Sequence, residues 1–242
     1  MMNRNMIKFE VITIFPEMID SYCNESILGR AQKNKKIKVT AHNLRDFSDD
    51  ARKTVDDIPY GGGAGMILKP EPIYKALVAV RGLKPSAISH KPSEKKRQSR
   101  TILLSAGGTP FTQAKAKELS NYKHLVFVCG RYEGVDSRVA EYMVDEELSV
   151  GPYVLTGGEL PALTIIDAVS RLVPNVLGNK ESLTEESHSG ILKEYSQFTR
   201  PSDFVPKRGV HLTVPDVLLS GDHKKIAEWR KENEAKGTNL DT

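Results

Sequence analysis

Three glycine-rich segments offer places where a ligand could lie against bare backbone. They are Ala106-Gly107-Gly108, Gly130-Arg131-Tyr132-Glu133-Gly134 and the longer Val150-Gly151-Pro152-Tyr153-Val154-Leu155-Thr156-Gly157-Gly158-Glu159. Glycine tolerates positive φ and lets another molecule approach the main chain closely. A fourth cluster, Pro59-Tyr60-Gly61-Gly62-Gly63-Ala64-Gly65-Met66, precedes them. It lacks the Gly-Lys-Ser/Thr that completes a phosphate loop, which argues against nucleoside triphosphates. The six histidines have no metal-ligand spacing, and Cys23 and Cys129 make neither a disulfide framework nor a four-ligand metal site. Any one glycine segment alone reads as a tight turn. Three of them, each after an apolar run, favour one shared small-molecule site.

The elements that must position these segments alternate between two periodicities. Ile7 to Phe15 reads as a buried first strand, and Pro16-Glu17 opens a helix that Gly29 is expected to end or bend. Ile37 to Ala41 reads as a second strand. Further strands are expected at Thr101–Ser105, Leu125–Cys129 and around Val154, each running into one of the glycine segments. Helices are expected over Pro70–Val80, Phe111–Leu119, Val135–Met143 and Pro161–Leu172. Alternating strands and helices imply an α/β fold with a mostly parallel sheet, and such sheets bind ligands beyond the carboxyl ends of their strands. No Gly-x-Gly-x-x-Gly opens a helix after the first strand, so a dinucleotide fold and the commoner methyltransferase fold are disfavoured.

The pattern breaks after Pro174. Residues 1–177 read as the main domain, 178–192 as a polar linker and 193–242 as a small, mainly helical C-terminal domain with a clear helix over Lys224–Glu234. The net charge of +4 says little about partners. Local charge says more. Arg81 to Arg100 carries seven Lys or Arg and one acid, and Arg30 to Lys53 carries eight against three Asp. Such stretches suit a phosphate backbone, though each alone reads as a solvated surface. Low cysteine use fits a cytoplasmic protein, and no targeting segment or run of membrane-spanning length is visible.

Taken in order, these segments resemble the bacterial tRNA (guanine-N1)-methyltransferase family, TrmD, of the SPOUT superfamily. The matching stretches are Phe15-Pro16-Glu17-Met18, Val55-Asp56-Asp57 through Pro59-Tyr60-Gly61-Gly62-Gly63 to Gly65-Met66, and Cys129-Gly130-Arg131-Tyr132-Glu133-Gly134-Val135-Asp136. They continue with Gly157-Gly158-Glu159-Leu160-Pro161-Ala162, Ile166-Asp167 to Val169-Ser170-Arg171, and Val217-Leu218-Leu219-Ser220-Gly221 to His223. They cover nearly the whole chain. The resemblance implies a deep trefoil knot, an obligate homodimer with active sites at the subunit interface, and transfer of a methyl group from S-adenosylmethionine to N1 of guanosine at tRNA position 37. By matching position, the cofactor pocket is expected to use Leu103, Leu104, Ser105 and Ala106, then Gly130, Tyr132 and Glu133, then Val150, Gly151, Tyr153, Leu155, Gly157 and Gly158. The resemblance also admits Mg²⁺, although the sequence shows no dedicated ligand cluster.

N1 of neutral guanine carries a proton, so a base must accept it while negative charge develops on O6. The resemblance assigns O6 stabilisation to Arg171. It places the base in a linker segment that usually reads Thr-Glu-Asp-Ser. Here that segment is Thr184-Glu185-Glu186-Ser187, so Glu186 takes the aspartate's position, with one more methylene. Other departures are Arg52, where the family often has histidine, and Ser196-Gln197-Phe198-Thr199-Arg200-Pro201. Basic residues from Arg200 to Arg230 could follow the anticodon stem. Two alternatives remain at this level: a ribose 2′-O-methyltransferase of the same fold, and a non-catalytic RNA-binding module.

Overall fold

The computed structural model describes residues 6–82, 98–177 and 195–234 of the 242-residue chain. The chain divides into two compact units, residues 1–178 and 179–242.

The first unit is built on five parallel strands. They are β1 (Ile7–Thr13), β2 (Ile37–Asn43), β5 (Ser99–Pro110), β6 (His124–Cys129) and β7 (Glu146–Ser149), in the spatial order β2-β1-β6-β5-β7. Two further short strands, β3 (Asp56–Asp57) and β4 (Ile67–Leu68), pair antiparallel around the first glycine cluster. The helices are α1 (Pro16–Cys23), α2 (Ser26–Lys33), α3 (Pro70–Arg81), α4 (Gln113–Leu119), α5 (Ser137–Tyr142) and α6 (Glu159–Arg171).

Side-chain alternation along the central strands divides the core. Ile7, Phe9 and Val11 of β1, with Leu125, Phe127 and Cys129 of β6, face a cluster that includes Ile19 of α1, Leu28 of α2, Ala116 of α4 and Ile166 of α6. Ile12 of β1, with Val126 and Val128 of β6, faces a second cluster with Ile73 and Leu77 of α3 and Val139 of α5. This two-sided burial explains why β6 reads as an unbroken apolar run rather than an alternating one. Phe9 and Phe127 stack across neighbouring strands, with ring centroids 6.5 Å apart.

The expected α/β class with a mostly parallel sheet is therefore present. Three local expectations need correction. First, the stretch after Pro16 is two helices broken at Asn24–Glu25, and Gly29 lies inside the second. A Cβ at Gly29 would stand 2.2 Å from the Asn24 carbonyl oxygen, so this glycine permits a close backbone approach instead of ending a helix. Second, no strand lies around Val154. The third strand at the site is β7, whose first residues, Glu146 and Glu147, look solvated in sequence. Glu146 is half-buried and accepts from Arg100 Nε at 2.8 Å and Lys115 Nζ at 3.1 Å, so the charge is matched at the sheet edge. Third, β5 runs on past Ser105, for a reason that belongs to the site.

In the second unit, β8 (Asp203–Lys207) and β9 (Val210–Thr213) form an antiparallel hairpin, followed by α7 (Asp216–Leu219) and α8 (His223–Glu234). The hairpin was not expected from the sequence; Gly209, at φ +79°, makes its turn. Trp229 of α8 packs edge-on against Phe198, and Arg230 lies over the Tyr195 ring. The expected polar linker and most of the basic segment between Arg81 and Arg100 lie outside the described residues.

Candidate active site

The carboxyl ends of β5, β6 and β7 open into one cavity of about 430 Å³. That is a size suited to a small organic ligand.

Its first wall comes from an excursion of β5. Leu104 and Thr109 both pair with Leu148 of β7, so the four residues between them leave the ladder and the strand then resumes. Leu103, Leu104, Ser105, Ala106 and Gly107 line the cavity from this excursion. Gly108 closes it. A Cβ there would sit 2.7 Å from the Leu148 backbone, so only glycine lets the chain rejoin β7.

The second wall follows β6. Gly130, Arg131, Tyr132, Glu133 and Gly134 all line the cavity. Tyr132 adopts φ +60° and Gly134 φ +136°, which turn the chain sharply at the strand end. A left-handed tyrosine is costly, and such strain is commonest where binding geometry requires it. The segment is braced from outside by the first glycine cluster. Glu133 N donates to Met66 O at 3.0 Å, Leu68 N to Gly134 O at 3.0 Å and Asp136 N to Leu68 O at 3.1 Å. Gly65, at φ +78°, lies so close to the Glu133 side chain that a Cβ would meet its Cγ at 2.4 Å. The cluster around Gly61–Gly65 therefore supports the site, which the sequence reading left unassigned. From it Tyr60 projects fully into solvent.

The third wall runs from β7 into α6. Ser149, Val150, Tyr153, Leu155, Thr156, Gly157 and Gly158 line the cavity, with Pro161 at the start of α6. Gly151 does not, because the Tyr153 ring covers it, with Tyr153 Oη donating to Val150 O at 3.2 Å. Gly158 N donates to Gly130 O at 2.9 Å, joining the second and third walls.

Beneath these walls lies a buried charge pair. Glu159 is fully buried; its Oε1 accepts from Thr13 Oγ1 at 2.6 Å and its Oε2 from Arg131 Nε at 2.9 Å. Arg131 also donates to Thr156 O at 3.3 Å and lies 4.6 Å from the centre of the Phe15 ring. Cys129 lies next to this pair. Burial pushes its thiol well above the usual range, and the Glu159 carboxylate adds to that, while Arg131 opposes it. Such a thiol is no nucleophile.

Twelve of the thirteen residues expected to bind a cofactor thus line one cavity, and Gly151 stands behind Tyr153. Residues outside that expected set, among them Gly107, Arg131, Glu147, Thr156 and Pro161, complete the lining. Arg171 does not reach it. It occupies the last turn of α6, ten residues after Pro161. At a rise of ~1.5 Å per residue, that is on the order of 15 Å along the axis. Glu186 lies outside the described residues.

Residues 7–241 match the family model described as tRNA (Guanine-1)-methyltransferase TrmD. The chain belongs to the TrmD family. It is 48% identical over 235 residues to a tRNA (guanine-N(1)-)-methyltransferase of Dictyoglomus turgidum, covering 97% of this chain and 88% of that protein. It is 46% identical to the protein of that name from Anoxybacillus flavithermus, over 96% of this chain and 88% of the relative. For the Staphylococcus aureus protein of the same name the identity is 47%, over 93% and 85%. The glycine loops that build the cavity fall within the matched span.

Proposed function

We propose that this chain transfers a methyl group from S-adenosylmethionine to N1 of guanosine 37 of tRNA, next to the anticodon. The observation that carries this reading is the single cavity formed by three glycine-rich loops at adjacent strand ends, in a chain that belongs to the TrmD family over nearly its full length. Family membership favours N1 transfer over ribose 2′-O-methylation and over a non-catalytic RNA-binding module.

The residues present fit the cofactor. The cavity has the volume for a nucleoside with an amino-acid tail, and its lining mixes apolar Leu104, Val150 and Leu155 with polar Ser105, Glu133 and Thr156. At Gly134 a Cβ would meet no atom within 4 Å, which leaves the backbone open to a ligand. When bound, S-adenosylmethionine supplies a methyl group already activated by its sulfonium centre. The protein must then orient guanine and remove the N1 proton. Glu186 is assigned as the base that takes that proton. Arg171 is assigned to the negative charge growing on O6, because a fixed cation there lowers the barrier more than it stabilises the ground state.

The separation of Arg171 from Pro161 along α6 supports a site completed by a second copy of the chain, with the cofactor loops of one subunit facing Arg171 of another. Exposed Phe15, Met18 and Tyr22 on and beside α1, with Leu160 on α6, supply apolar surface for such a homodimer. The trefoil-knotted path is carried over from the family resemblance alone. The second unit is assigned to the tRNA stem, through Arg200, Lys207, Arg208 and Lys224. Among the described residues no helix is long and apolar enough to cross a membrane. A tRNA substrate favours a cytoplasmic location. No group of three or more metal-ligating side chains occurs among the described residues. One or two carboxylates acting with RNA oxygens would be enough to hold Mg²⁺, and chelation tests the requirement.

The deciding experiment is methyl transfer to unmodified tRNA, compared with the same tRNA carrying adenosine at position 37, followed by nucleoside analysis. The expected product is 1-methylguanosine from the first and none from the second. A ribose-methylated nucleoside, or cofactor and tRNA binding without transfer, would overturn the reading.

A further inference from the structure

The Thr13–Glu159–Arg131 chain ties together three elements that are far apart in sequence. Thr13 ends β1, Arg131 follows β6, and Glu159 opens α6. Both carboxylate oxygens of Glu159 are engaged, one by a hydroxyl and one by a guanidinium, and the residue has no exposure to solvent. An unpaired carboxylate in that position would be strongly destabilised, so the three side chains hold or fail together.

Only one of the three reaches the cavity. Arg131 lines it, while Thr13 and Glu159 do not. The backbone of the third wall lies directly over the ion pair. A Cβ on Gly157 would stand 2.2 Å from Arg131 Nε and 2.6 Å from Glu159 Oε2. Arg131 holds that wall a second time through the Thr156 carbonyl, and its far side rests on Phe15 and the Met18 sulfur. Beside the Gly158–Gly130 backbone bond, the separation of the second and third cavity walls is thus held by one guanidinium and the carboxylate beneath it. Thr13 fixes that carboxylate and also accepts from Phe15 N at 2.9 Å, which anchors the pair to the end of β1.

We infer that Thr13, Glu159 and Arg131 form a positioning device that fixes the gap between the two cofactor loops, so that Thr13 and Glu159 govern cofactor affinity without touching the ligand. The inference rests on the assignment of the cavity to S-adenosylmethionine. Small displacements of a preorganised binding surface weaken binding even when every contacting residue is retained.

The test is equilibrium binding of S-adenosylmethionine to the full chain, without tRNA, for wild type, Thr13→Val, Glu159→Gln and Arg131→Lys, with thermal unfolding measured in parallel. Thr13→Val keeps shape and removes the hydroxyl that donates to Glu159 and accepts from Phe15 N. It is expected to fold and to bind the cofactor at least threefold more weakly. Glu159→Gln and Arg131→Lys should each lose tenfold or more. The Glu159→Gln/Arg131→Lys double variant should be little worse than the weaker single one, because the two act as a unit. Thr13→Ser, which restores the hydroxyl, should recover most of the affinity lost in Thr13→Val. Folded Thr13→Val with wild-type affinity would overturn the inference, as would equal losses in the Ser and Val variants. Failure of the wild-type chain to bind S-adenosylmethionine would instead overturn the assignment of the cavity.

Discussion

The amide nitrogen of Gly158 donates to the carbonyl oxygen of Gly130 at 2.9 Å, so the residue just before α6 is bonded to the residue just after β6. This bond joins two walls of the cavity at their base. It forms only because position 158 has no side chain, since a Cβ there would lie 2.7 Å from Cys129 Cα and 3.0 Å from Gly130 N.

Gly158→Ala should therefore do more than remove a preferred residue. The clash is with Cys129 and the backbone of Gly130, so the two loops must separate. Cofactor affinity is expected to fall at least tenfold, and stability by about 1–3 kcal/mol, as for other overpacked sites. Isothermal titration and chemical denaturation would measure both. Gly134→Ala meets no neighbour, but its φ of +136° is unfavourable for alanine. It should cost stability without a clash inside the protein, and any loss of affinity would come from the added Cβ meeting the ligand.

Glu186→Gln is expected to abolish turnover while cofactor affinity stays within about twofold. Removing a base affects the transition state and leaves a pocket built from other residues intact. Single-turnover methyl transfer, set against binding, separates the two effects. Equal turnover in the variant would remove Glu186 from its assigned role. Arg171→Ala should show the same split, losing rate by about 100-fold or more, a loss typical of an oxyanion-stabilising group.

His124 makes stability fall in weak acid. Burial holds its imidazole below the usual range, with Glu10 opposing and Lys8 and Arg81 reinforcing the shift. The ring Nε2 has no hydrogen-bond partner within the protein. The unfolded chain therefore binds a proton more readily than the folded one. Its contribution is complete above about pH 6.5, the ordinary histidine value, and is lost as pH falls through the lower folded value. Melting temperatures from pH 8 to pH 5 should drop more steeply for wild type than for His124→Gln.

Both thiols should resist alkylation in the native state. Burial pushes Cys23 up to about 12, with Asp20 and Asp167 adding to the shift, and raises Cys129 well above its ordinary value. Iodoacetamide at pH 8 is expected to label neither, and both in denaturant. Rapid labelling of Cys129 in the folded protein would mean that the base of the cavity opens.

Much of the cavity was legible because its walls follow buried strands. Leu125 to Cys129 carries an apolar run and then a turn, which is enough to place Gly130 at a sheet end. β7 was not legible, since Glu146 and Glu147 look like surface until Arg100 and Lys115 are brought beside them. The same limit hid the role of Glu159. Its partners stand 28 and 146 positions away, and no local pattern encodes such a meeting. Gly29 misled for the converse reason: a glycine inside a helix and one that ends it look alike until the neighbouring carbonyl of Asn24 is in place.

The excursion of β5 has a bearing on how this protein can vary over generations. Ser105 to Gly108 hang between two anchorages, Leu104 and Thr109, that grip the same residue of β7. The register on either side is fixed by those pairings, so adding or deleting a residue would change the shape of the loop between them and move Ser105 to Gly107 relative to the other two walls. Drift in length should therefore be confined to connections elsewhere, while this span admits changes of residue type alone.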